Sequence, residues 1–430
     1  MRILYNLLFI IFGIIYLPYF IVTKRYKYGL VNRFGVLSKR LKAVSSKGRV
    51  IWIHAVSLGE MKAASILAPL LRKTFPSHTL LFSSVTHTGN KVARTIATGE
   101  EAVFYLPFDI SFITDKVVRA IRPELFLCLE TELWPNLIAS LYRFDAKIVL
   151  INGRISKKSY FGYKKIRFII SRLLNKFSLI LMQSERDAVR ILTLGAPKEK
   201  VLVTGNLKFD LSLLVSTSRR REIRERLGVT EEDILLIAGS THRGEEEQVL
   251  DCFLKLKKEY TNLRLLIAPR HVERTQEIER LVSKRGFDSI RHSQINTDQP
   301  TNRLTDNKSS IFLLDTMGDL KTIYAASDIV FIGKSLINKG GQNPIEPATL
   351  AKPVILGKFT FNFQDVVNSF LENNAAIQVE NKDELYSAIR MLIDNPRERK
   401  RLGINAKDTV EKNSSSSQRT IDLIRSIHPA

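Results

Sequence analysis

"VIWIHAVSLGE", residues 50–60, joins a short apolar run to a turn of small residues and a helix start. The same succession recurs along the chain. The runs "VIWI", "TLLFSS", "AVFYL", "LFLCL", "KIVLI", "LILMQ" and "VLVTG" are separated by helix-length amphipathic stretches and end near Gly205. A second series follows, "ILLIAG", "LRLLIA", "IFLLD", "DIVFIG" and "PVILG". Alternation of this kind is the βαβ pattern of a parallel sheet covered on both faces. It predicts two doubly wound Rossmann-like α/β domains at 50–205 and 223–430, joined by "NLKFDLSLLVSTSRRRE" at 206–222. The polar stretch "SIRHSQINTDQPTNRLTDNKSS" reads as a loop or hairpin inside the second, and helices over "DELYSAIRMLI" and "SQRTIDLIRSI" end the chain. A length of 430 residues suits two sizeable domains.

Ahead of this pattern lies "ILYNLLFIIFGIIYLPYFIV", Ile3 to Val22, which has no charged residue. As a helix it would cover about 30 Å, the thickness of a hydrocarbon core. Its length, its aromatic and proline content and the lack of a small-residue cleavage site predict a retained membrane anchor over 1–49, not a cleaved signal. Arg2, Lys24, Arg25, Lys27, Arg33, Lys39, Arg40, Lys42, Lys47 and Arg49 supply +10 of the formal +23. A basic flank of this kind places the domains on the cytoplasmic side and suits anionic inner-membrane lipids. With so much of the charge beside an anchor, a nucleic-acid partner is disfavoured. Cys128 and Cys252 stand alone in apolar stretches and read as buried thiols, with no disulfide or zinc framework.

In open parallel sheets, ligands sit beyond the carboxyl ends of the strands, so the loops after these runs hold the functional candidates. Glu60 is the only Asp or Glu between Met1 and Glu100. At a helix start it suits the helix dipole, and at a cleft edge it suits a general base. Beside Lys62 it is expected to stay ionised. Ser57, Gly59, Thr88 and Gly89 allow backbone amides to approach an anion. In "LFLCLETELWPNL", Glu130 is placed to face the cleft and Glu132 to cap the helix that Pro135 opens. Lys208 in "GNLKFD" follows the last strand of the first domain, at an expected interdomain cleft where a cation stabilises developing negative charge. In the second series, "AGSTHRGEEE", "APRH", "DTMGDL" and "GKSLINKGGQNPIEPA" each follow a strand. Arg270 suits a phosphate, the helix start at Asn343 and Pro344 offers backbone amides, and Glu346 suits a ribose diol.

Taken in order, "WIHAVSLGE", "LPFD", "ETELWPNL", "NGRIS", "QSERDA", "GNLKFD", "AGSTHRGEE", "APRH", "DTMGDL" and "GGQNPIEPA" resemble the 3-deoxy-D-manno-octulosonic acid (Kdo) transferases of lipopolysaccharide synthesis, as far as about residue 365. The resemblance implies a GT-B glycosyltransferase fold, a CMP-Kdo donor, a lipid A precursor as acceptor and work at the cytoplasmic face of the inner membrane. It makes Glu60 the general base and gives Glu130 and Lys208 transition-state-stabilising roles. Pro269, Arg270, Met317, Gly318, Asp319, Asn343, Pro344, Ile345 and Glu346 would hold CMP. No cofactor and no metal are implied. Three positions depart from the family pattern: Gly153 where alanine is more frequent, Gln342 where histidine is common, and Lys334 where a small residue is usual. The other readings are a GT-B transferase using a UDP-sugar on another membrane lipid, and a membrane-anchored binder without catalysis.

Overall fold

The computed structural model describes residues 2–22, 29–46, 48–212, 220–295 and 310–429. They form two compact units, Met1–Leu211 with Asn413–Ala430, and Ser212–Lys412. The first unit is built on strands β1 (Val50–His54), β2 (Thr79–Ser84), β3 (Ala102–Tyr105), β4 (Leu125–Leu129), β5 (Lys147–Gly153), β6 (Leu179–Met182) and β7 (Val201–Val203). The second has β8 (Ile234–Thr241), β9 (Leu263–Pro269), β10 (Asp288–Arg291), β11 (Ser310–Leu313), β12 (Ile329–Ile332), β13 (Val354–Gly357) and β14 (Ala376–Val379).

Both sheets are parallel, ordered β3-β2-β1-β4-β5-β6-β7 and β10-β11-β9-β8-β12-β13-β14. The doubly wound expectation is therefore met in each unit. In an α/β sheet with helices on both faces the central strands are apolar on both sides. Every residue of "VIWIH" and of "LFLCL" is buried. Trp52, Phe104 and Phe126 fill one face of the first sheet, and Ile51, Ile53 and Phe82 fill the other.

Strand order reverses direction between β1 and β4 in the first sheet and between β8 and β12 in the second. In open α/β sheets ligands bind beyond the strand ends at such a switch point, so the loops after β1 and β4 in the first unit, and those after β8 and β12 in the second, hold each unit's candidates. At the second switch, Gly333 lets β12 approach β8. A Cβ there would lie 2.5 Å from the Thr241 Cα, so a larger residue would force the two strand ends apart.

The structure amends four expectations. The stretch beginning at Ser289 opens as β10, an edge strand paired in parallel with β11, so it is not a hairpin; residues 296–309 of it lie outside the described residues. The edge strand β14 also went unread.

Residues 413–430, read as the end of the second domain, return to the first unit. There the Ser416–Ile427 helix buries Ile421 and Ile424 with Leu67, Ala68 and Leu71 of the Leu58–Thr74 helix.

Among the described residues, no helix is long and apolar enough to cross a membrane. The N-terminal helix Arg2–Val22 instead docks its polar side chains on the first unit. Arg2 pairs with Asp115 at 3.1 Å, Asn6 Nδ2 donates to Ser111 Oγ at 2.7 Å, and Asn136 Nδ2 donates to Asn6 Oδ1 at 2.8 Å. Ile3, Leu4, Leu7, Leu8, Ile14 and Ile15 are left exposed. Of the basic flank, Lys24, Arg25, Lys27 and Lys47 lie outside the described residues. Both cysteines are free and buried, as expected.

Candidate active site

In the first unit the candidates gather after β1, β4 and β7. Ser57 begins the Leu58–Thr74 helix as its N-cap. Glu60, in the first turn, folds back against the strand end and is only 7% exposed. Its Oε2 accepts from the Val56 amide and its Oε1 from the Ser57 hydroxyl, both at 2.6 Å. The Ser57 hydroxyl in turn accepts from the Glu60 amide at 3.4 Å. Glu60 thus closes a variant of the capping box as well as facing the switch point.

Burial lifts its pKa above the usual carboxylate range, and the bonds from Ser57 and Val56 and the charge of Lys208 oppose that rise. The cation whose charge favours the ionised form is Lys208, where the expectation named Lys62, and the net direction is upward. A carboxylate moved toward neutrality is a stronger proton acceptor when ionised.

Glu130 leaves β4 with φ +56, an uncommon backbone for a non-glycine residue, while its amide stays bonded to the Ile151 carbonyl at 2.9 Å. Strain of this sort is retained where the surrounding structure imposes it, and active sites are one such place.

Glu132 is not the helix cap it was expected to be. The Pro135–Arg143 helix is capped by Asp109, whose Oδ2 accepts from the Asn136 amide at 3.1 Å and whose Oδ1 accepts from the Leu137 amide at 2.7 Å. Glu132 is left among carboxylates. Burial, then the charges of Glu60 and Glu130, push it up to about 7. Sequence reasoning missed this third acid because the residue that replaces it as cap lies in "LPFD", far back along the chain.

Lys208 sits in a tight turn, Leu207–Ser212, held by a buried amide network. Asn152 Oδ1 accepts from the Leu207 amide, Gln183 Nε2 donates to the Asn152 carbonyl, and Asn206 Nδ2 donates to Gln183 Oε1, at 2.9 to 3.0 Å. Asn206 Oδ1 also accepts from the Lys208 amide at 3.0 Å. Asn152, Gln183 and Asn206 come from "NGRIS", "QSERDA" and "GNLKFD", so these three segments meet to fix one turn. Asn152 takes φ +55, which Asn tolerates better than most residues. From the other side, Asp210 Oδ2 accepts the Ser417 amide at 2.6 Å. The departure at Gly153 has a local reason: a Cβ there would stand 2.5 Å from the Met182 sulfur.

His54 is excluded as a competing base. It is fully buried, stacks on Phe126 and shares Nδ1 with Ser83 Oγ at 2.9 Å; burial lowers its pKa to about 4. It packs locally, as expected from its place before the turn.

The second unit gathers its candidates after β8, β9, β11 and β12. Pro269 is buried at the end of β9, whereas Arg270 is exposed, its amide anchored on the Thr241 carbonyl at 3.0 Å. Met317 is 84% exposed beside Gly318, whose φ is +98, and Asp319 precedes the short Leu320–Ile323 helix. Asn343 Oδ1 accepts from the Ile345 amide at 3.1 Å, and its Nδ2 donates to Glu346 Oε1 at 3.2 Å. Pro344 and Ile345 are buried under that turn, and Lys321 stands 3.8 Å from Glu346.

Glu245 organises these loops from beneath. Fully buried, it accepts from the amides of His242, Lys334, Ser335 and Leu336 at 2.5 to 3.0 Å, tying the loop after β8 to the loop after β12. Lys334 is held there at φ +63, a left-handed conformation at which a glycine would be unstrained. Gln342, the other departure, is half-buried and donates its amide to the Gly333 carbonyl at 3.2 Å.

Glu132→Gln tests the carboxylate cluster. Removing that charge should lower the pKa of Glu60, so the acidic limb of the pH–rate profile should move to lower pH. An unmoved limb would separate the two groups electrostatically.

Known proteins carry the same two-part organisation. Residues 29–211 match the family model described as 3-deoxy-D-manno-octulosonic-acid transferase (kdotransferase), and residues 219–409 match glycosyl transferases group 1. The chain is 36% identical over 406 residues to the 3-deoxy-D-manno-octulosonic acid transferase of Haemophilus influenzae, covering 94% of this chain and 92% of that one. It is 38% identical to a bifunctional glycosyltransferase/methyltransferase of Fusobacterium nucleatum, over 80% of this chain but only 52% of that longer protein. Among solved structures, the UDP-GlcNAc 2-epimerase of Neisseria meningitidis aligns over 88% of this chain and all of its own, with 14% identity and a TM-score of 0.56, a likeness of GT-B-type fold alone.

Proposed function

The chain belongs to the Kdo transferase family, and from that premise we propose that it transfers Kdo from CMP-Kdo to a lipid A precursor with inversion at the anomeric carbon, Glu60 serving as base. The observation that carries this reading is the setting of Glu60: a buried carboxylate of raised pKa at the switch point of its sheet, under the influence of Lys208 and coupled to Glu132. The acceptor hydroxyl attacks the anomeric carbon from the face opposite CMP. Glu60 takes its proton as the new C–O bond forms, and the bond from the anomeric carbon to the CMP phosphate oxygen breaks. Lys208 stabilises negative charge that develops in the transition state, and Glu130 shapes the field around the base and the oxocarbenium-like sugar.

The donor belongs to the second unit. Arg270 and the amides at the turn of Asn343 suit the phosphate, Glu346 suits the ribose diol, and Pro269, Met317, Gly318, Asp319, Pro344 and Ile345 frame the nucleotide. The basic side chains carry the phosphate charge, so turnover needs no divalent metal. Arg270→Ala should weaken CMP binding by about 1.5 to 3 kcal/mol, the range for a hydrogen bond to a charged group. Calorimetric titration with CMP measures it, and unchanged affinity would remove Arg270 from the site.

The exposed apolar residues of the N-terminal helix and the basic residues behind it support work at the cytoplasmic face of a bacterial inner membrane, where the lipid acceptor is presented to the first unit. Retention of activity with a UDP-sugar and not with CMP-Kdo would favour the other GT-B reading.

A further inference from the structure

At the opposite edge of the first sheet from Glu60, three ligand-type atoms converge. His78 stands immediately before β2, Glu124 immediately before β4, and His428 just after the Ser416–Ile427 helix. His78 Nε2 lies 3.1 Å from His428 Nε2 and 3.2 Å from Glu124 Oε2, and His428 Nε2 lies 3.5 Å from the same oxygen. Tetrahedral zinc with bonds of 2.0 to 2.1 Å holds neighbouring ligand atoms about 3.3 to 3.4 Å apart. The sides of the triangle, 3.1, 3.2 and 3.5 Å, bracket that edge length.

We propose that His78, Glu124 and His428 form a structural zinc site that fastens the C-terminal helix to the N-terminal edge of the first sheet. Two imidazole nitrogens and one carboxylate oxygen suit Zn²⁺, with a water completing the tetrahedron. The surroundings fit. The His78 side chain is fully buried, and its second nitrogen is 3.2 Å from Ser77 Oγ, the outer partner a metal-bound imidazole ordinarily keeps. Phe75 packs against both rings, with centroids at 5.5 and 5.8 Å. Arg49 approaches the other oxygen of Glu124 at 3.8 Å, so Oε2 stays directed at the two nitrogens. The charges of Arg49 and Lys147 work against a cation here.

A proton shared between the histidines satisfies only one of the three contacts at a time, whereas one cation satisfies all three. The site also has a structural consequence. The helix that ends at His428 begins at Ser417's bond to Asp210, in the turn that carries Lys208, so zinc fixes the far end of the element that braces that turn. The sequence did not expose this cluster, because its members are 46 and 350 residues from His78.

The full-length chain, stripped with chelator and desalted, should take up one equivalent of Zn²⁺ by elemental analysis, with a rise in Tm of about 5 °C at saturating metal. Co²⁺ in its place should give the intense visible bands of a four-coordinate site. His428→Ala and Glu124→Gln, each shown to be folded by circular dichroism, should lose the equivalent, the bands and the rise in Tm. If the stripped wild-type chain binds no zinc above background, or if His428→Ala retains the full equivalent, the site is a hydrogen-bonded histidine pair only and the proposal fails. Because this readout involves neither donor nor acceptor, its outcome is independent of the catalytic assignment.

Discussion

Glu60→Gln should lower kcat by about 10²-fold or more, the scale on which positioned general bases contribute, while leaving CMP affinity nearly unchanged. Glutamine keeps the shape and can still accept from the Val56 amide, so the helix start survives; what it loses is the ability to take a proton. The pH dependence sharpens the test. A base works only when deprotonated, so the wild-type rate should rise with pH through the pKa of Glu60, and burial places that pKa above the ordinary carboxylate range. The glutamine variant should lose that limb along with the rate. A folded variant turning over within a few-fold of wild type would return Glu60 to the role its hydrogen bonds already give it, that of a capping-box residue.

Lys208→Ala should have an effect of similar size, about 10²- to 10³-fold in kcat, as expected when a preorganised stabiliser of transition-state charge is removed. It should also leave a signature that a merely structural lysine would not. Lys208 opposes the rise in the Glu60 pKa, so its loss should move the acidic limb to higher pH, and Lys208→Arg should restore much of that position. An unshifted limb with an undiminished rate would place Lys208 on the solvated surface. The amide network of Asn152, Gln183 and Asn206 bonds to backbone atoms of the turn, so the turn itself should persist in both variants.

The parts of the fold legible in the sequence are those where one physical requirement dominates. Central strands such as β1, β4, β8 and β12 are buried on both faces and read as unbroken apolar runs. The edge strands β10 and β14 escape that rule: "DSIR" has one exposed and three half-buried residues, "AIQV" is buried only at its two ends, and neither stands out from a loop. The return of residues 413–430 to the first unit was also invisible, because an amphipathic helix announces that it has a buried face but not which partner covers it.

The site shows the same division. Topology makes the positions just beyond strand ends legible as candidates, and Glu60, Glu130, Lys208 and Arg270 occupy such loops and helix starts; their roles come from the resemblance. What spacing does not reveal is which of two neighbouring carboxylates is consumed as a cap. Asp109, reaching the helix from a distant loop, frees Glu132 to join the cluster, where burial and its neighbours' charges push it up to about 7. The supporting amides Asn152, Gln183 and Asn206 were present in the quoted motifs, but their common purpose emerges only where β5, β6 and β7 bring them side by side.

The central claim is the reaction itself, and mass spectrometry of the lipid product tests it most directly. Purified enzyme supplied with CMP-Kdo and a tetraacylated lipid A precursor in detergent should yield precursor heavier by whole Kdo units with release of CMP, with or without added magnesium. No mass gain from CMP-Kdo under conditions where the enzyme is folded and binds CMP, or a gain seen only with a UDP-sugar, would contradict the account.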